Sequence, residues 1–219
     1  MSLQKNICQF RRDVLGPRES AAFIASQAED VSVDPEGLRA VASKKFGGKF
    51  ITCVRQCKKD AVKLVLLLVD EFLSFRDEAI YKGTNVSFYK RAQILVADLW
   101  SCFEGKSLGE FHNIDDLTMF ADYRVPQVLV YFGAMQYTPR LAARLRDESL
   151  LENDSQEVCE IRGVAIHACE LIRDLIRKEF GSIVNSILVD YFLWDYRRDH
   201  AEQIEAKGIP FHHVRCIYY

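Results

Sequence analysis

The sequence predicts an all-α fold, one compact helical domain, and three observations predict it. Apolar residues recur at three- and four-residue spacing along most of the chain. Helix-starting pairs precede those stretches: Asp34-Pro35, Thr138-Pro139 and Asp154-Ser155. No series of alternating strands and no repeat of solenoid length appears. With 219 residues, 49% of them apolar, the chain is long enough to bury one large core.

The elements follow in order. Pro17 opens a helix with Ala21, Ala22, Phe23, Ile24 and Ala28 as its apolar stripe. Asp34 caps a second, with Pro35 at its first position, running through Leu38 and Val41. Gly47-Gly48 marks a turn. Residues 50–58 and 61–72 form one or two buried helices. Ser87 is placed to cap a helix from Phe88 to Phe103, ended by Gly105. Asp115 or Asp116 caps a short helix through Phe120, and Pro126 helps start the next. Further helices begin at Thr138-Pro139, at Asp154-Ser155 (through Phe180 to a stop at Gly181) and at Asn185. The tail from Phe211 is expected to be extended and docked.

Charge and cysteine usage exclude several classes. A net charge of -2 gives no basic field for a nucleic acid, so stable nucleic-acid binding is not expected. Seven cysteines, odd in number and without a CxxC pair, fit reduced thiols in a cytoplasmic protein better than a disulfide framework or zinc ribbon. The segment Met1–Val14 lacks the apolar core of a secretory leader, and no apolar run is long enough to span a bilayer. No Gly-rich phosphate loop, HExxH or GxSxG occurs. His167, on an apolar helix face, is expected to be a core histidine; His212-His213 are expected to be surface or docking residues, and Arg197-Arg198-Asp199-His200 forms an exposed charged face.

Two clusters are candidates for chemistry, the alternative for each being a core-edge helix whose acids cap or pair locally. Asp190-Tyr191-Phe192-Leu193-Trp194-Asp195-Tyr196 interleaves two acids with four aromatic rings. At helical spacing Asp190 lies beside Trp194. Phe120-Ala121-Asp122-Tyr123-Arg124 repeats the theme and adds a cation. Lys90-Arg91 stands near the start of a helix, where cations oppose the helix dipole: they read as solvated cations on an exposed turn, or as cations compensated by a nearby acid or an anionic ligand. If Asp122 and Asp190 converge in a cleft walled by Phe120, Tyr123 and Trp194, burial raises one carboxyl pKa while its partner stays ionised. That asymmetry suits cleavage of a glycosidic bond: one acid steadies the sugar cation and the other holds or protonates the leaving base. Lys90, Arg124 or Arg215 could hold a phosphate.

Four separated motifs closely resemble the queuosine 5'-phosphate N-glycosylase/hydrolase (queuosine salvage protein) family. They are residues 88–93 (FYKRAQ), residues 118–127 (TMFADYRVPQ), residues 185–196 (NSILVDYFLWDY) and the terminal RCIYY. The likeness covers about Lys45 to Tyr219 and resumes from Leu15 through Ala40. The resemblance implies hydrolysis of the N-glycosidic bond of queuosine 5'-monophosphate to release queuine, without metal or organic cofactor, on an all-helical fold similar to that of DNA glycosylases. Carried over by motif, Asp122 is an active-site carboxylate, Phe120 and Tyr123 are pocket walls and Lys90 is a polar pocket member. Asp190 faces the base, with Trp194 and Asp195 nearby.

The chain also departs from the family. Met1–Val14 is an atypical segment, and residues 15–219 correspond to the family domain with a stretch missing near 41–45. The absent stretch holds several helices and an aromatic strip that helps form the substrate pocket. This internally shortened form is therefore expected to turn over slowly or not at all. The alternative it leaves is a non-catalytic helical binding module derived from the family.

Overall fold

The computed structural model describes residues 17–30, 32, 34–36 and 48–218. The chain divides into two compact units, residues 1–48 and 49–219. In the first unit, α1 (Pro17–Gln27) starts at the expected proline, but its Phe23 and Ile24 are exposed. The Asp34 start is also present: its Oδ1 accepts the Glu36 N–H at 3.1 Å. The continuation of that helix through Val41, and the join expected at 41–45, lie outside the described residues.

In the second unit the expected helices recur, with start signals that explain them. The helix α2 (Gly48–Gln56) starts on the last residue of the first unit, and Gly47, the other half of the expected turn, lies outside the described residues. Asp60 caps α3 (Ala61–Glu71) by accepting the Lys63 N–H. Next comes α4 (Lys90–Cys102), followed by α5 (Val125–Tyr131), which has Pro126 in its first turn. Thr138 caps α6 (Pro139–Arg146) through the Leu141 N–H. Ser155 caps the long α7 (Gln156–Phe180), and Gly181 ends it with φ +64°. That left-handed backbone is open to glycine at no steric cost. Asn185 caps α8 (Ser186–Asp199) through the Leu188 N–H, and α9 (Ala201–Ala206) completes the set. No helix among the described residues is long and apolar enough to cross a membrane.

Three departures from the sequence reading bear on the site. A hairpin, β1 (Glu78–Tyr81) against antiparallel β2 (Thr84–Ser87), occupies a stretch with no expected element. Its two-residue turn puts Lys82 at φ +50° and Gly83 at φ +80°, as hairpin twist requires. Ser87 therefore ends a strand instead of capping α4, whose first residue is Lys90. Finally, Asp115 and Asp116 belong to a single 3₁₀ turn, Ile114–Asp116, and no helix reaches Phe120. The tail does dock: β4 (His213–Val214) pairs in parallel with β3 (Leu150–Leu151).

Two hydrophobic cores organise this unit. One gathers α5, α6, α7 and the Val189 and Leu193 positions of α8. The other gathers α2, α3 and α4 with Phe111, Leu117 and Ile187. Between the 3₁₀ turn and α5, Met119 and Ala121 enter the first core and Phe120 enters the second. Successive side chains facing opposite ways is the habit of extended backbone. The α4 entry behaves alike, with Phe88 in the first core and Ala92 in the second, as does α8, with Ile187 in the second and Val189 in the first. Lys90, Asp122 and Asp190 stand where these three segments pass between cores.

Candidate active site

Asp190 is fixed by α8, whose buried residues are Ser186, Ile187, Val189, Asp190, Leu193 and Arg197. Its Oδ1 accepts the Phe120 N–H at 2.9 Å, tying α8 to the segment before α5. Asp122 is fixed by the start of α5: its Oδ1 accepts the N–H groups of Arg124 at 2.9 Å and Val125 at 2.8 Å. These are donors that a helix leaves unpaired at its N-terminus. Both acids are buried, at 7% exposure for Asp122 and 5% for Asp190. Each is anchored through one oxygen, and among the described residues no hydrogen bond engages Oδ2 of either.

The charge of Asp122 reaches Asp190. Burial pushes the Asp190 carboxyl up to about 7; the Phe120 N–H pulls against that, the Asp122 charge adds to it and the Lys90 charge opposes it. Burial also raises the Asp122 carboxyl, against the N–H bonds from Val125 and Arg124 and the charge of Lys90. Lys90 is held below its usual value, first by burial, while Asp122 and Asp190 both favour its charged form. Lys90 thus finds the compensating acids that its place at a helix start calls for, and it is not a solvated surface cation. No ion pair among the described residues joins its ammonium to either acid. Cys169 packs near both carboxylates; burial and then their charges push its thiol up, so it stays protonated.

The other predicted site residues divide. Phe120 is buried and its ring lies 6.1 Å from that of Tyr191. Tyr123 and Arg124 border a cavity of about 570 Å³ together with Phe211, His213 and Arg215. The Arg124 guanidinium lies over both the Tyr123 ring, at 5.0 Å, and the Phe211 ring, at 4.4 Å. Neither acid lines this cavity. Trp194 and Asp195 lie outside the buried cluster. Trp194 is 42% exposed, with Arg198 over its ring at 4.8 Å, and exposed Asp195 approaches the same arginine at 4.0 Å. One residue of helix turns a side chain by about 100°, which carries Asp195 away from the Asp190 face.

Several charged residues behave differently from their sequence reading. Arg197 is buried, not part of an exposed face, and donates to Gln127 Oε1 at 2.8 Å and Glu205 Oε1 at 2.7 Å. His212 is also buried, and burial lowers it to about 3. His167, conversely, is exposed on α7. Among the described residues no group of three or more His, Cys, Asp or Glu side chains is placed to hold a metal ion.

With this geometry in hand, the comparisons with known proteins are decisive. A sequence model described as queuosine salvage protein matches residues 35–219. The chain belongs to the queuosine salvage protein family. A Mus musculus queuosine 5'-phosphate N-glycosylase/hydrolase is 54% identical over 183 residues, covering 80% of this chain and 53% of the relative. The like-named Schizosaccharomyces pombe protein is 35% identical over 215 residues, covering 91% and 61%. That of Sphaerobacter thermophilus is 39% identical over 180 residues, covering 82% and 54%. This queuosine salvage family member thus spans about half the length of the curated relatives it matches, and Lys90, Asp122 and Asp190 all fall within the matched region.

Proposed function

We propose that the chain hydrolyses the N-glycosidic bond of queuosine 5'-monophosphate, releasing queuine, at a site built from Asp122, Asp190 and Lys90. The observation that carries this reading is that two buried carboxyls and the half-buried Lys90 ammonium lie within reach of one another's charge without pairing off. Two neighbouring buried carboxyls do not both ionise cheaply, so near neutral pH one keeps its proton. The protonated acid holds the leaving base and delivers its proton. The ionised acid stabilises positive charge at the sugar and orients a water. Water supplies hydroxyl to the anomeric carbon and its remaining proton to the ionised acid, while the base departs with the proton of the protonated acid, so the pair again holds one proton.

The substrate class explains why acids are needed. A 7-deazapurine has carbon where a purine offers its N7 acceptor, so protonation there cannot help the base leave. Sugar-cation stabilisation and contacts at other base edges must do more. Tyr123, with Arg124 and Arg215, lines the neighbouring cavity, where the two arginines suit a phosphate. The reading needs no metal or organic cofactor, no nucleic acid and no membrane, and it places the protein in the cytoplasm with its thiols reduced. The domain spans residues 15–219, with the family's missing stretch falling near 41–45.

The test is release of queuine from queuosine 5'-monophosphate, followed by chromatography, for the native chain and for Asp122→Asn and Asp190→Asn. Release that is slower than that of a full-length relative and lost in both variants is the expected result. Equal release by native chain and variants overturns the site assignment.

A further inference from the structure

Close to the three site residues lies a second charged cluster that is closed. Arg162 is wholly buried on α7 and Asp77 is 1% exposed. They join through two parallel bonds, Nη1 to Oδ1 at 2.8 Å and Nη2 to Oδ2 at 2.5 Å. The fork geometry of arginine favours this bidentate grip. The Phe88 ring lies 4.1 Å from the guanidinium. His212 lies within the field of Arg162 and is held neutral, so it adds no second cation.

Both members of the pair also hold backbone that leads to the site. Asp77 Oδ2 accepts the Lys90 N–H at 3.2 Å. The Asp77 carbonyl accepts the N–H groups of Phe88 at 2.9 Å and Tyr89 at 3.4 Å. Tyr89, between them, has φ +46° and ψ +36°. A bulky residue in that left-handed region is strained and persists only where the surroundings enforce it. On the other side, Arg162 Nε donates to the carbonyl of Ala121 at 3.1 Å, next to Asp122. One ion pair therefore grips the residue positions of Lys90 and of Asp122's neighbour at once.

We infer that Asp77 and Arg162 are positioning residues of the Lys90–Asp122–Asp190 site, a buried clasp that fixes the spacing of the lysine from the acids. The inference rests on the proposed glycosidase reading for its functional meaning, but its geometry is testable without substrate. Lys90 opposes the upward displacement of Asp190. Removing its charge with Lys90→Met should therefore raise the Asp190 titration midpoint, read by carboxyl-carbon NMR.

The decisive comparison repeats Lys90→Met in a chain carrying Asp77→Leu and Arg162→Met together. Replacing both members of a buried ion pair by apolar residues leaves no unpaired charge and often preserves folding. With a native-like circular dichroism spectrum, the clasp-less chain should show less than half the original response to Lys90→Met, because the lysine is no longer held near the acids. An undiminished response overturns the inference. If the double replacement does not fold, Arg162→Lys takes its place. It keeps the cation and loses the fork and the Ala121 bond, and the same halving is expected, with an undiminished response again overturning it. Failure of the glycosidase reading would register separately, as absence of queuine release from a chain whose titration coupling is intact.

Discussion

The Asp77–Arg162 clasp is fully buried, the Lys90–Asp122–Asp190 trio joins two buried acids to a half-buried lysine, and the two clusters differ in how their charges are met. In the clasp every charge is met: a bidentate ion pair, plus backbone bonds on both partners. In the trio each acid is tethered through one oxygen and the ammonium is paired with neither. Burial of unpaired ionisable groups costs free energy that a merely structural cluster would avoid. The difference teaches that hydrogen-bond saturation, more than burial, separates these two clusters.

The largest expected effect breaks the clasp by halves. Arg162→Met alone strands a buried carboxylate, and removing one member of such a pair costs about 3–5 kcal/mol, to be read by urea denaturation. Asp122→Asn and Asp190→Asn should instead leave folding nearly intact, since an Asn Oδ1 still accepts the same backbone N–H groups. Their loss should appear in turnover, by about 100-fold or more, measured as queuine release.

A pH test sharpens the contrast. The Asp190 carboxyl lies at about 7 in the folded chain, against a reference of 3.8. Between those values the folded state holds a proton that the unfolded state has lost, so stability falls as pH rises through this window. The full difference is worth roughly 4 kcal/mol at most. Asp190→Asn should remove this part of the slope, seen as flatter melting temperatures from pH 4 to 7. The smallest effect concerns the scaffold: Asn185→Ala deletes the α8 cap and should cost about 1 kcal/mol, read by thermal melting, without moving the Asp190 midpoint.

Much of the scaffold was legible because local chemistry dictates it. Thr138, Ser155 and Asn185 each cap the helix that their side chain announces, and Gly181 stops the longest one. The hairpin escaped because Lys82 occupies a left-handed position usually given to Gly, Asn or Asp. The α4 start was misplaced because its N-terminal acceptor is distant Asp77 and not adjacent Ser87. Of the proposed site, Lys90, Asp122 and Asp190 were marked by composition and by family likeness, whereas Trp194 and Asp195 lie against Arg198. Asp77 and Arg162 were missed, although an arginine on the inward line of Val158, Ile161, Ala165 and Cys169 was an available signal. A cation on an apolar face needs a buried anion, but sequence does not say which.

Carboxyl-carbon NMR titration of Asp190, in the native chain and in Asp122→Asn, tests most directly whether the two acids share one site. The account predicts a native midpoint near 7 that falls when the Asp122 charge is removed. A midpoint in the ordinary carboxylate range, unmoved by Asp122→Asn, would contradict it.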